Sequence, residues 1–386
     1  MCREGNQETQ RPEDFYTLKN LTIAFTGGGT AGHVLPNIAL IETGKTSLGR
    51  LISDGSVKVC YIGSPDGIER QIVKNSKIDI QYIPVSAGKL RRYFSWQNFL
   101  SPFQVIKGFI EARTGMKKAN VKALFSKGGF VSAPVVWAAW TLGIPVVIHE
   151  SDFSPALATK LTQPFASAIF TAFEETIAQM SESSRKKSRA VGIPLRDELF
   201  DIKREGAIGH FKLNNNLPTL LVFGGSLGAL ALNKAIKPLL PELDKLANII
   251  HLTGKGKTFE TEGLNNYHQF EYLENDMSLA LSAADCAFCR AGASSIFELA
   301  ALRIPMLLLP LGLRQSRGDQ IENARYFSSR NWARRIDEET MTSESLHTEI
   351  RSMIEERGTR RESLLNAPAE SALTTIADCL LSLLQQ

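Results

Sequence analysis

Four glycine-rich turns, each between a short apolar run and a helical pattern, carry most of the chemistry this sequence could perform. The first runs from Gly27 through Gly28, Gly29, Thr30 and Gly32 to His33, after the apolar run 21–25. Gly27, Gly29 and Gly32 fit GxGxxG in the strand-to-helix setting where backbone N–H groups and a helix N-terminus attract a phosphate. A dinucleotide would also need an acid at the end of the second strand to hold its ribose. That strand, 57–62, ends in Gly63 and Ser64 with Asp66 arriving late, which speaks against NAD. His33, on the first turn of the helix beside any bound anion, could serve as a general base or as an anion ligand.

The other three turns are Gly128 and Gly129 with Phe130 (SKGGFVSAP), Gly224 to Gly228 (GGSLG), and the segment 289–305 (CRAGASSIFELAALRIP). Gly224, Ser226 and Gly228 also match the GxSxG nucleophile elbow. A hydrolase would need an acid and then a histidine later in the chain, but His251, His268 and His347 stand in no distinctive setting, and the first loop would go unexplained. The same geometry lets Ser226 and its loop amides bind a second phosphate group. In the last segment a Gly-Ala-Ser-Ser turn opens a helix with Glu298 on its first turns, where a carboxylate could accept both hydroxyls of a ribose. A glutamate that merely complements the helix dipole would look the same.

Positioning such loops takes parallel strands alternating with helices. Runs at 57–63, 80–85, 123–127, 145–150 and 167–173 follow the first strand, and 219–223, 248–254, 268–274, 285–289, 305–311 and 333–337 repeat the grammar. Alternation of this kind predicts an α/β chain of two doubly wound, Rossmann-like halves. The expected divisions are a polar extension over 1–19, a first domain over 20–194, a second over 195–367, and a C-terminal helix over 368–386 packing back on the first. A chain of 386 residues with 43% hydrophobic residues and a net charge of +4 is ordinary globular material, not disordered or fibrous. Five scattered cysteines give no disulfide framework, and Cys286 with Cys289 read as buried strand thiols, not a metal site. Neither a spanning apolar run nor a secretory signal is visible, so the chain is expected in the cytosol unless something holds it to a surface.

Seven motifs occur in order over roughly residues 20–345: GGGTAGHVLP, SKGGFVSAP, IHESDFSPALATK, VGIPLR, GGSLGALALN, CRAGASSIFELAALRIPMLLLPL and SRGDQIENA. Together they resemble the MurG family of glycosyltransferase family 28, the cytoplasmic UDP-N-acetylglucosamine transferases of bacterial peptidoglycan synthesis. The resemblance implies a GT-B fold, two Rossmann-like domains facing a cleft. It also implies inverting transfer of N-acetylglucosamine (GlcNAc) from UDP to the C4 hydroxyl of the muramyl sugar of lipid I, giving lipid II. His33 is the first choice for the base, with Glu150 and Asp152 as alternatives. The family's motifs place Thr30, Gly32, Asp152, Arg196, Ser226, Arg290, Ser294, Ser295, Glu298, Gln320 and Asn323 around the donor. Among these, Arg196 and Ser226 match the phosphate contacts, Glu298 the ribose contact, and Gln320 with Asn323 the contacts to the sugar hydroxyls. Gly28, Gly29, Gly128, Gly129 and Phe130 would serve the acceptor side. Asp152 stands where many relatives have Asn, and Leu227 where many have Gln. No cofactor and no metal ion is expected to be required.

The stretch 86–120 holds seven basic residues (Lys89, Arg91, Arg92, Lys107, Arg113, Lys117, Lys118) against Glu111 alone, so it carries more positive charge than the whole chain nets. Leu90, Tyr93, Phe94, Trp96, Phe99, Phe103, Ile106 and Phe109 are interleaved with them. Basic side chains gain about 1 kcal/mol each near an anionic leaflet, and aromatic rings favour the headgroup zone. The composition therefore suits peripheral attachment to the cytoplasmic face of the cell membrane, where a lipid-linked substrate resides. No nucleic-acid motif accompanies it.

Overall fold

In a computed structural model the described residues are 21–88, 97–225, 230–273, 276–313, 316–368 and 371–385, with the side chains of 97–102 not described. Ser226 and Leu227 lie outside them, as do Leu90, Arg91, Arg92, Tyr93, Phe94, Trp96 and the side chain of Phe99. The chain divides into two compact units. One comprises residues up to Arg196 together with Ser371–Gln386, and the other is Asp197–Glu370.

The first unit contains β1 (Leu21–Thr26), β2 (Val57–Gly63), β3 (Ile80–Pro84), β4 (Val121–Ser126), β5 (Val146–Glu150), β6 (Ala168–Thr171) and β7 (Ser188–Ala190). They form one sheet in the order β3-β2-β1-β4-β5-β6-β7, paired in parallel throughout. Strands buried on both faces read as continuous apolar runs, and alternate residues serve opposite sides. Ile23, Phe25, Ala123 and Phe125 enter one core with the helix Ala31–Glu42, whereas Ala24 and Leu124 enter the other with Ala112, Met116 and Val135.

The first of these cores also receives the terminal helix Leu373–Leu384, through Leu373, Ile376, Ala377, Leu380, Leu381 and Leu384. That spacing marks one face of a helix. Each buried aliphatic side chain contributes about 1.5–3 kcal/mol, so the last turns of the chain supply several kcal/mol to the first unit although they follow the second in sequence.

β7 was not among the strands expected from the sequence. It is a three-residue edge strand inside the charged stretch after residue 181, paired with β6 and tied by Ser188 Oγ to Ser184 O at 2.7 Å. Between β3 and β4 runs the helix Gln97–Lys118. Gly108, Ala112 and Met116 face inward, and Phe109 is partly buried in the core. On the other side Phe103, Ile106 and Ile110 are 71%, 57% and 57% exposed, beside exposed Lys107, Arg113, Lys117 and Lys118.

The second unit holds β8 (Thr219–Phe223), β9 (Asn248–Leu252), β10 (Tyr267–Phe270), β11 (Cys286–Cys289), β12 (Met306–Leu308) and β13 (Arg334–Arg335). Its order, β10-β9-β8-β11-β12-β13, is again wholly parallel. Cys286 and Cys289 are both buried on β11, and burial pushes the Cys286 thiol up to about 12, which leaves it inert at neutral pH. No described helix is long and apolar enough to cross a membrane, and no metal-ligand cluster of three or more His, Cys, Asp or Glu occurs among the described residues.

Candidate active site

In both sheets the strand order reverses once, between β1 and β4 and between β8 and β11. Open α/β sheets bind ligands outside the carboxyl ends of their strands at this switch point. All four glycine turns follow one of those four strands.

In the first unit the turns after β1 and β4 lie directly against each other. A Cβ at Gly129 would collide with the backbone of Gly28, and Gly29, Gly128 and Gly129 have φ near +90, +91 and +87, open only to glycine at low cost. Phe130 lays its ring edge 3.1 Å from where a Gly29 Cβ would stand. Tyr61 donates to Gly27 O at 2.7 Å, and Asn37 donates to Tyr61 and to Thr26 O, so the turn is anchored from beneath. His33 is the third residue of the helix Ala31–Glu42. Its Nδ1 lies 3.1 Å from Gly28 O and 3.3 Å from Thr30 Oγ1, and its Nε2 lies 4.0 Å from the position of a Gly128 Cβ. The imidazole thus sits where the two turns meet.

Glu150 closes β5, and both its oxygens serve the chain. Oε1 accepts from Asp152 N at 3.0 Å, while Oε2 accepts from Ala156 N at 2.9 Å and from Thr159 Oγ1 at 2.6 Å. It shapes the loop that carries half-buried Asp152. Lys127, which sequence reasoning passed over, is buried between these groups and donates to Ser151 Oγ. Burial lowers its ammonium to about 8, against the opposing pull of Glu150 and Asp152. His149 was also missed. It is fully buried and held neutral, well below its ordinary range, by burial and then by Lys127, and its Nε2 donates to Gly192 O at 2.7 Å. A charged residue immediately before a glycine pair, and a histidine next to the end of an apolar strand, were the available signals.

In the second unit Gly292 caps the helix Ala293–Ala301, with Ser294 and Ser295 in its first turn and Glu298 one turn beyond Ser294 on the same face, all three half-buried. Gln320, in the helix Asp319–Ser329, accepts from Leu311 N at 3.1 Å. Two further residues expected on the donor also bond within the second unit. Asn323 is fully buried and donates to Ala291 O, so it supports the turn after β11. Arg290 is 5% exposed and donates to Leu309 O, Pro310 O and Glu338, which ties the end of β11 to the end of β12. Arg196 closes the first unit and is half-buried.

Two parallel sheets of this order, each with glycine turns at its switch point, belong to the GT-B fold. Profiles for the glycosyltransferase family 28 N-terminal domain and C-terminal domain match residues 23–171 and 219–379. A Staphylococcus aureus protein described as UDP-N-acetylglucosamine-N-acetylmuramyl-(pentapeptide) pyrophosphoryl-undecaprenol N-acetylglucosamine transferase is 45% identical over 338 residues, covering 87% of this chain and 91% of that protein. The chain belongs to glycosyltransferase family 28, in the group of these transferases. Among solved structures, Acinetobacter baumannii MurG matches with a TM-score of 0.69 and 25% identity over 94% of this chain and 99% of its own. The UDP-GlcNAc 2-epimerase of Neisseria meningitidis shares the fold, with a TM-score of 0.66 at 13% identity over 94% of this chain and 99% of its own.

Proposed function

We propose that the chain transfers N-acetylglucosamine from UDP-GlcNAc to the C4 hydroxyl of the muramyl sugar of lipid I, forming lipid II with inversion at the anomeric carbon. The observation that carries this reading is the repeated glycine-lined switch point, with an imidazole on it in the first unit and a carboxylate one turn into a helix in the second. The first suits the acceptor and the second the donor nucleotide.

Inversion needs a base that takes the hydroxyl proton as the sugar carbon is attacked opposite the departing UDP. His33 suits this role better than Glu150, whose oxygens are occupied by the 152–159 segment. Asp152 is kept as a neighbour of the reacting groups. On the donor side Glu298 would hold the ribose, Ser294, Ser295 and Ser226 the phosphates with Arg196, and Gln320 with Asn323 the sugar, and the family's motifs add Thr30 and Gly32. Charge developing on UDP is met by arginine and helix N–H groups, and no metal ion is given a role. Acceptor-dependent UDP release tests the function: saturable release only when lipid I is supplied supports it, and binding of UDP-GlcNAc without turnover would contradict it.

The acceptor is lipid-borne, and the exposed side of the helix Gln97–Lys118 pairs Phe103, Ile106 and Ile110 with basic neighbours. This supports attachment to an anionic membrane surface. Replacing all three apolar residues with Ser is expected to weaken binding to anionic vesicles more than about tenfold, since each contributes up to a few kcal/mol on burial. Undiminished co-sedimentation with such vesicles would contradict that placement.

A further inference from the structure

The acid that the sequence lacks at the end of β2 is supplied in the fold by Glu69, second residue of the helix Ile68–Lys74 and fully buried. Its Oε1 accepts from Ser64 N at 3.0 Å and Ser64 Oγ at 2.5 Å, and its Oε2 accepts from Gly29 N at 3.3 Å. Three glycines make room for it. A Cβ at Gly28 would stand 2.6 Å from Oε1, one at Gly67 would strike the carboxylate, and one at Gly63 would lie 2.8 Å from its Cγ. Part of the glycine signature therefore accommodates an internal anion, and the Gly29 N–H is spent on it.

Gly29 N–H and Gly28 C=O are the two ends of one peptide group. The Gly28 oxygen faces Nδ1 of His33 at 3.1 Å. A carbonyl can only accept, so the Gly28 oxygen favours the tautomer with its proton on Nδ1, which leaves the lone pair of the neutral ring on Nε2. Carboxylate, peptide and imidazole form one hydrogen-bonded line in which each bond polarises the next.

We propose that Glu69 is a positioning residue for His33, acting through the Gly28–Gly29 peptide to fix the ring's tautomer and favour the imidazolium that forms during transfer. This rests on His33 as the base. In the step, the acceptor O–H bond breaks and its proton goes to Nε2, the hydroxyl oxygen bonds to the anomeric carbon, and the bond from that carbon to the phosphate oxygen leaves its electrons with UDP. Glu69 exchanges no proton in this step. The titratable groups on the elements around this line are Tyr61 of β2, Tyr82 of β3, Arg70 beside Glu69, and Lys127 after β4. They are unchanged in the variants below.

Glu69→Gln keeps the shape and removes the charge. Expected are a kcat lower by on the order of tenfold with the KM for UDP-GlcNAc nearly unchanged, and an acid limb of the pH profile shifted to lower pH, because the imidazolium loses its stabilising carboxylate. In a His33→Ala background the same substitution should add nothing. A folded Glu69→Gln protein with an unmoved acid limb, or a full additional loss in the His33→Ala background, overturns the proposal. If the variant does not fold, nitrogen NMR of the native protein decides, with the His33 signals assigned by their loss in His33→Ala. A neutral ring protonated at Nδ1 supports the proposal, and one protonated at Nε2 overturns it. Full turnover by His33→Ala alone would remove the underlying base role instead, whatever Glu69→Gln does.

Discussion

His33→Ala is expected to lower the turnover number of lipid I-dependent UDP release by at least about a hundredfold, the lower range of what a positioned general base contributes. The donor should bind almost as before, because the imidazole stands on the first unit's glycine turns and the groups proposed for the nucleotide are mainly in the second. A loss confined to kcat is the signature of an interaction made chiefly in the transition state. The turn itself should survive the change. Tyr61, Asn37 and Glu69 hold its backbone independently of the ring, through Gly27 O, Thr26 O and Gly29 N. Steady-state kinetics paired with calorimetric UDP binding separate the two quantities. An unaltered kcat would remove His33 from the base role and turn attention to Asp152.

Glu298→Ala is expected to show the opposite pattern, weakening UDP binding by about ten- to a hundredfold, or about 1.4–2.8 kcal/mol, with a smaller effect on kcat at saturation. A carboxylate accepting from both ribose hydroxyls makes two charge-assisted bonds of about 1.5–3 kcal/mol each before the competing hydration of the free site is deducted. Glu298→Gln should fall between, since the amide offers one acceptor oxygen where the carboxylate offers two. The helix itself tolerates alanine at this position, because Ile296, Phe297, Leu299 and Ala300 supply its buried face. Unchanged calorimetric affinity for UDP in Glu298→Ala would mean that the ribose lies elsewhere.

The glycine turns and most strands are legible in the sequence because their signals are local. A buried parallel strand is a short apolar run, and a turn needing positive φ is written in glycine. β7 escapes this logic, since Ser188, Arg189 and Ala190 form no apolar run and gain their strand character from pairing with β6. The site divides the same way. His33 follows its glycine turn directly, so its place on the helix is fixed by a few residues of chain, whereas Glu69 reaches Gly29 across 40 residues of sequence. No local pattern around residue 69 announces that contact. Arg290 and Asn323 carry the residue types the family resemblance implies, but their bonds to Leu309 O and Ala291 O come from packing that no local pattern announces.

The most direct test of GlcNAc transfer is analysis of the product formed when the purified protein is given UDP-GlcNAc and lipid I. The expected product is one new disaccharide-bearing lipid, linked at the C4 hydroxyl of the muramyl sugar in the β configuration, in equal amount to the UDP released. UDP released without lipid I, as a hydrolysing or epimerising enzyme of the same fold would give, or an α-linked product, would contradict it.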